Sequence, residues 1–110
     1  MTPALPAVDH VLLLVDDLDA ATADMTAAGF TVQTRADREV KGGSTYRFVS
    51  FPDGSYILLT AFTPEGAAAH RLARVIEGGE GWADWSFCVA DVEAARAAAE
   101  AAGVAMGPVH

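Results

Sequence analysis

The residues of this chain able to hold a metal or move a proton are three histidines, one cysteine and the carboxylates. His10 is the best placed of them, standing directly after Asp9 at the head of an apolar run, VLLLV. Strand alternation puts His10 on one side with Leu12 and Leu14, and Val11, Leu13 and Val15 on the other. Both sides are apolar, as suits a strand covered by a helix on one side and lining a cavity on the other. A histidine at the mouth of such a cavity would bind a metal or donate a proton. The competing reading is a partly buried imidazole satisfied by a backbone carbonyl, since one histidine is not a site. Arg47 is the other polar residue of interest. Pointed into a cavity, its guanidinium would attract a carboxylate- or phosphate-bearing small molecule; pointed outward, it is solvated. His70 sits in a connector segment and reads as a surface residue, and His110 is terminal. Cys88, on an apolar run, reads as a small core residue, as do Trp85 and Phe87. The glycine-rich GGEG lacks the lysine and hydroxyl of a phosphate loop. No serine–histidine or cysteine–histidine signature is present, so no catalytic residue is assigned.

An internal repeat indicates the elements that position these residues. The segment HVLLLVDDLDAATADMTAAGF, displaced by 74 positions, lies without a gap on DWSFCVADVEAARAAAEAAGV. Val15 falls on Val89, Asp17 on Asp91, and Gly29 on Gly103; His10 falls on Asp84. Alanine matches come cheaply, whereas these pairs sit at structural corners. Each copy predicts an apolar strand, an aspartate N-cap, a helix, and a glycine at the left-handed position that ends it. Leu18, Ala21, Met25 and Ala28 share one face of the first helix; Val92, Ala95, Ala99 and Ala102 repeat that spacing in the second.

Three strands are predicted after the first helix, over 30–35, 46–51 and 56–62, with a charged surface loop over 36–43. The last two strands flank PDGS, a turn by composition. Taken as a four-residue loop, it sets Phe51 opposite Tyr56, Val49 opposite Leu58, and Arg47 opposite Thr60, all on one side of the sheet. A slip of one residue would put Phe48 and Ser50 there instead. The predicted organisation is one domain over 1–110: a βαβββ module over 9–62, a connector over 63–81, and a truncated second module over 82–110. The second copy ends before it could supply its own three strands. Either the chain is a fragment, or another chain covers the open sheet edge, which an unpaired strand invites.

Composition narrows the function classes. Fifteen acidic residues against seven basic ones give a net charge of −8, which repels phosphate backbones and argues against a nucleic-acid partner. The apolar runs are too short to cross a bilayer. The N-terminus does not read as a secretory signal, and a single cysteine forms no internal disulfide, so the expected location is the cytoplasm.

DHVLLLVDDLDAA resembles the opening strand and helix of vicinal-oxygen-chelate proteins, and FPDGSYILL resembles the motif that closes each of their modules. GEGWADWSFCVADVEAARAAAEAAGV is similar to the second-module opening of the glyoxalase-3-like branch. The resemblance implies an α+β fold of glyoxalase/bleomycin-resistance/dioxygenase type, a βαβββ module followed by a partial βα module, with the sheet curved around a pocket. In metal-bearing members the first-strand histidine is a ligand, a position His10 matches. The glutamate that closes the first module is replaced here by Leu58, which cannot coordinate. Asp84 holds the place of the second module's opening ligand, and the last ligand would lie beyond His110. His10 and Asp84 thus form an incomplete set, where a catalytic centre normally has three protein ligands.

The function expected first is a metal-free domain that binds a small molecule through Arg47, Tyr56, Leu58, Thr60 and Phe51. The first rival is a metal-dependent lyase, isomerase or dioxygenase using Zn, Fe, Mn or Ni at His10 and Asp84. The second is a dimerisation or regulatory module without catalysis. A homodimer is the expected assembly.

Overall fold

The computed structural model describes residues 7–34, 40–41 and 43–107. Its elements in chain order are β1 (Ala7–Leu14), α1 (Leu18–Ala27), β2 (Val40–Lys41), β3 (Ser44–Ser50), β4 (Tyr56–Phe62), α2 (Pro64–Ala69), α3 (Ala73–Glu77), β5 (Gly81–Cys88) and α4 (Val92–Ala101). The strands form one mixed sheet in the order β2-β3-β4-β1-β5. The described residues divide into two compact units, one within Val8–Ser86 and a smaller one that includes Ala7 and residues 87–107.

The first unit is built on β1, β3 and β4. β1 and β4 run parallel, pairing His10 with Tyr56, Leu12 with Leu58, and Leu14 with Thr60. β3 and β4 run antiparallel. α1 covers one face. There Leu18, Val49 and Leu59 form the core, with Leu13, Val15, Met25, Val32, Ile57 and Ala61 packed around them. Leu59, on a strand with neighbours on both sides, is 0% exposed.

Both helices of the repeat are closed by the same local devices. Asp17 accepts the Ala20 amide and Asp91 the Ala94 amide, each at 3.0 Å. At the other end of α1, Gly29 N–H donates to Thr26 O and Phe30 N–H to Met25 O. In α4, Gly103 N–H donates to Glu100 O and Val104 N–H to Ala99 O. These are paired Schellman closures, and the left-handed residue each requires is a glycine, at φ +101° and +88°. The two helices differ in burial: Leu18 of α1 is buried, whereas Val92 of α4 is exposed.

The hairpin register departs from expectation by one residue. The structure sets Ser50 opposite Tyr56, Val49 opposite Ile57, Phe48 opposite Leu58, and Arg47 opposite Leu59. The cause is the turn. Phe51 N–H donates to Ser55 O, so the loop is the three residues Pro52, Asp53 and Gly54, not four. Gly54 takes the left-handed conformation, φ +89°, that such a loop needs. Asp53 accepts both the hydroxyl and the backbone N–H of Ser55, and these bonds hold its carboxyl below the usual carboxylate range. One loop residue fewer turns every side chain of β3 to the opposite side from that expected.

Three other expectations change. Of the strand predicted over 30–35, a single bridge forms, from Gln33 to Phe48, with both backbone bonds at 2.8 Å. Arg35 lies outside the described residues, as does most of the loop predicted over 36–43, but residues 40 and 41 of that stretch pair with β3 as β2. Trp85, Phe87 and Cys88, read as core, are exposed.

The connector makes a close backbone crossing. Thr63 caps α2 by accepting the Gly66 amide, and its own N–H donates to Gly43 O. A Cβ on Gly66 would lie 2.5 Å from Gly43 O and 2.8 Å from Gly43 Cα, with backbone on both sides and nothing flexible to yield. Gly66→Ala is therefore expected to destabilise the first unit by about 1–3 kcal/mol, the usual range for overpacking. Urea unfolding checks this, and an unchanged midpoint would contradict the crossing.

Candidate functional site

The register places two sets of side chains on opposite faces of the sheet. Arg47 lies on the face that carries α1. Its guanidinium donates to Thr22 Oγ1 at 2.7 Å and to Asp19 Oδ1 at 2.9 Å, and the side chain is largely buried. It ties β3 to the helix. Arg47→Ala is expected to lower stability by about 1–2 kcal/mol through lost hydrogen bonds and stem packing. It should leave ligand affinity at the other face unchanged. Chemical denaturation and titration with one ligand separate the two effects.

The opposite face carries His10, Leu12 and Leu14 from β1, Tyr46, Phe48 and Ser50 from β3, and Tyr56, Leu58 and Thr60 from β4. Its aromatic rings form a continuous row. Tyr46 meets Phe48 edge to face at 5.6 Å, Phe48 meets Tyr56 at 5.4 Å, and Tyr56 stacks on the His10 imidazole at 4.9 Å and 13°. His10 Nδ1–H donates to the Asp9 carboxylate across 2.8 Å, which fixes the ring over Tyr56. The Leu14 end of the face is closed: Thr60 is 3% exposed, and Phe62 packs on His70 of the connector with ring centres 4.9 Å apart. His70 is thus half-buried, not the surface residue expected. At the other end, Gln33, Thr34, Phe48, Ser50 and Tyr56 line an open recess of about 580 Å³, within the range of small-molecule sites.

Of the residues singled out in the sequence, His10, Tyr56, Leu58 and Thr60 share this face. Phe51 stands in the turn, its ring edge-on to Phe30 at 6.4 Å. Arg47 is on the other face. Asp84, on β5, is bonded to the Arg71 guanidinium. Sequence reasoning gave no role to Asp9, Gln33, Tyr46, Phe48 and Ser50. Phe48 and Ser50 were within reach of it, since they are the residues a one-residue slip brings onto this face.

A second cleft, of about 540 Å³, runs beside α1 with Asp16, Asp17, Asp24 and Glu80 on its rim. Two of those carboxylates already serve the backbone. Asp17 caps the helix, and Glu80 accepts the Asp16 amide at 2.8 Å.

A metal of the kind the resemblance implies fits these residues poorly. Leu58 stands on the same face as His10 and offers no donor atom, and the Asp84 carboxylate is held by an arginine. No group of three or more His, Cys, Asp or Glu side chains placed to hold a metal exists among the described residues.

A parallel β1–β4 pair, a helix crossing between them and a βα repeat define the vicinal-oxygen-chelate scaffold. The family described as the glyoxalase-like domain matches residues 8–110, and the chain belongs to that family. A comparison with curated proteins gives no match. Among solved structures, the chain is similar to methylmalonyl-CoA epimerase from Mycobacterium tuberculosis, with TM-score 0.60 and 22% identity over 87% of this chain. It spans 63% of the length of that epimerase chain. A hypothetical protein from Bacillus halodurans gives TM-score 0.65 at 17% identity, covering 91% of this chain and 70% of the other. A Streptomyces coelicolor methylmalonyl-CoA epimerase in complex with 2-nitronate-propionyl-CoA gives 0.55 at 24%, covering 93% and 73%. At these identities the likeness establishes the shared fold. No helix among the described residues is long and apolar enough to cross a membrane.

Proposed function

We propose that this chain is a metal-free small-molecule-binding domain whose ligand lies on the aromatic face of the sheet. The observation that carries the reading is the position of Leu58. It stands on the face of His10 and Tyr56, at the place where the family resemblance calls for a chelating carboxylate. With an aliphatic side chain there, the face offers rings and apolar surface, with few donor atoms. The ligand suited to it is a flat, aromatic-bodied molecule stacked along Tyr46, Phe48, Tyr56 and His10, with Leu58 beneath it. His10, held by Asp9, orients the ligand and does not ligate a metal. The metal-dependent rival would rest on His10 and Asp84, and Asp84 is engaged with Arg71.

Thermal-shift screening against aromatic small molecules tests the proposal, with Phe48→Ala as the control. Stabilising hits lost in that variant support it; hits that survive Phe48→Ala place the ligand elsewhere. We also propose that the protein acts as a homodimer. β5 ends the sheet order, and Trp82 and Trp85 on it are exposed, so a pairing edge and large apolar side chains coincide. Sedimentation at micromolar concentration is the test, and a clean monomer would count against it.

A further inference from the structure

The recess at the open end of the aromatic row has a polar wall as well as an apolar one. Gln33 is brought there by its backbone bridge to Phe48, and its side chain meets that of Ser50. The Ser50 hydroxyl donates to Gln33 Oε1 at 3.1 Å. That bond uses one lone pair of the carboxamide oxygen and the single hydroxyl proton. It leaves two N–H donors on the Gln33 carboxamide and two acceptor lone pairs on Ser50 Oγ for a ligand. A donor and an acceptor therefore stand side by side on the rim. Phe48 and Tyr56, packed edge to face with ring centres 5.4 Å apart, supply the apolar wall.

We infer that this recess selects flat aromatic ligands whose edge carries a cyclic amide, the ring carbonyl accepting from the Gln33 carboxamide and the ring N–H donating to Ser50 Oγ. The inference rests on the proposed ligand face and adds the chemical class of its ligand. Both polar groups are exposed, so the discrimination they supply is that of two solvated hydrogen bonds. It is smaller than that of a buried pair, where a group left unpaired would be far more costly.

The experiment titrates the protein with carbostyril, a bicyclic lactam, and with quinoline, which has the same two fused rings but no lactam edge. Isothermal calorimetry is applied to the wild type, Ser50→Ala, and a Gln33→Leu/Ser50→Ala double variant, with circular dichroism to confirm folding. The expected result is about five- to tenfold tighter binding of carbostyril by the wild type. That preference should shrink in Ser50→Ala and approach one in the double variant. Equal affinities in the wild type, or a preference that survives in the double variant, would overturn the inference and leave the aromatic ligand face standing. Failure of both compounds to bind the wild type would overturn both.

Discussion

Leu59→Ala is expected to remove about 2–5 kcal/mol of folding stability, the range for a leucine deleted from a packed core with a cavity left behind. The upper part of that range applies for structural reasons. Leu59 is 0% exposed, lies on the strand between β1 and β3, and packs with Leu18 of α1 and Val49 of β3. Strands hydrogen-bonded on both sides cannot close readily on a void. The next residue along supplies a matched comparison. Leu58 points to the opposite face and is half-buried. Leu58→Ala removes the same atoms from a site already open to solvent and should cost well under half as much. Urea denaturation of both variants measures the difference. A loss at Leu58 as large as that at Leu59 would contradict this assignment of the two faces.

The second large effect concerns binding. Phe48→Ala is expected to weaken an aromatic ligand by about 2 kcal/mol or more, roughly thirtyfold in Kd, as truncating a central aromatic anchor commonly does. Phe48 is the middle of the row, in edge contact with both Tyr46 and Tyr56, so its removal takes away a wall and loosens its two neighbours. Its backbone bonds to Gln33 do not depend on the side chain, and the strand should keep its place. Tyr46→Ala, at the end of the row, should have a smaller effect. Calorimetric titration with the best hit of the thermal-shift screen measures both. An unchanged Kd in Phe48→Ala would place the ligand off this face.

What the sequence made legible follows from where local chemistry suffices. Asp17, Gly29, Asp91 and Gly103 announce helix ends because a side-chain carboxylate and a missing Cβ act within one turn of the backbone. The β4 boundaries, Tyr56–Phe62, were likewise readable from an apolar run bounded by a turn. The hairpin register was not, and the site depended on it. The register turns on whether Ser55 belongs to the loop or closes it, and Ser55 closes it by accepting the Phe51 N–H, while the Asp53 carboxylate holds the Ser55 hydroxyl and N–H. That single residue moved Arg47 from the anticipated ligand face to α1 and brought Phe48 and Ser50 into its place. Gln33 was hidden for another reason. It reaches the site through one isolated bridge, and such a bridge has no periodicity to detect. Trp85 was misread because hydrophobicity alone favours burial, and exposure depends on what lies beside an edge strand.

On the proposed reading, this glyoxalase-like face carries an aromatic floor in place of a metal centre. Elemental analysis of the purified protein after incubation with Zn, Mn, Fe or Ni and desalting tests it most directly, with His10→Ala alongside. The expected result is far less than one equivalent of any of these metals, with no difference between the two proteins. One equivalent retained by the wild type and lost from His10→Ala would contradict it.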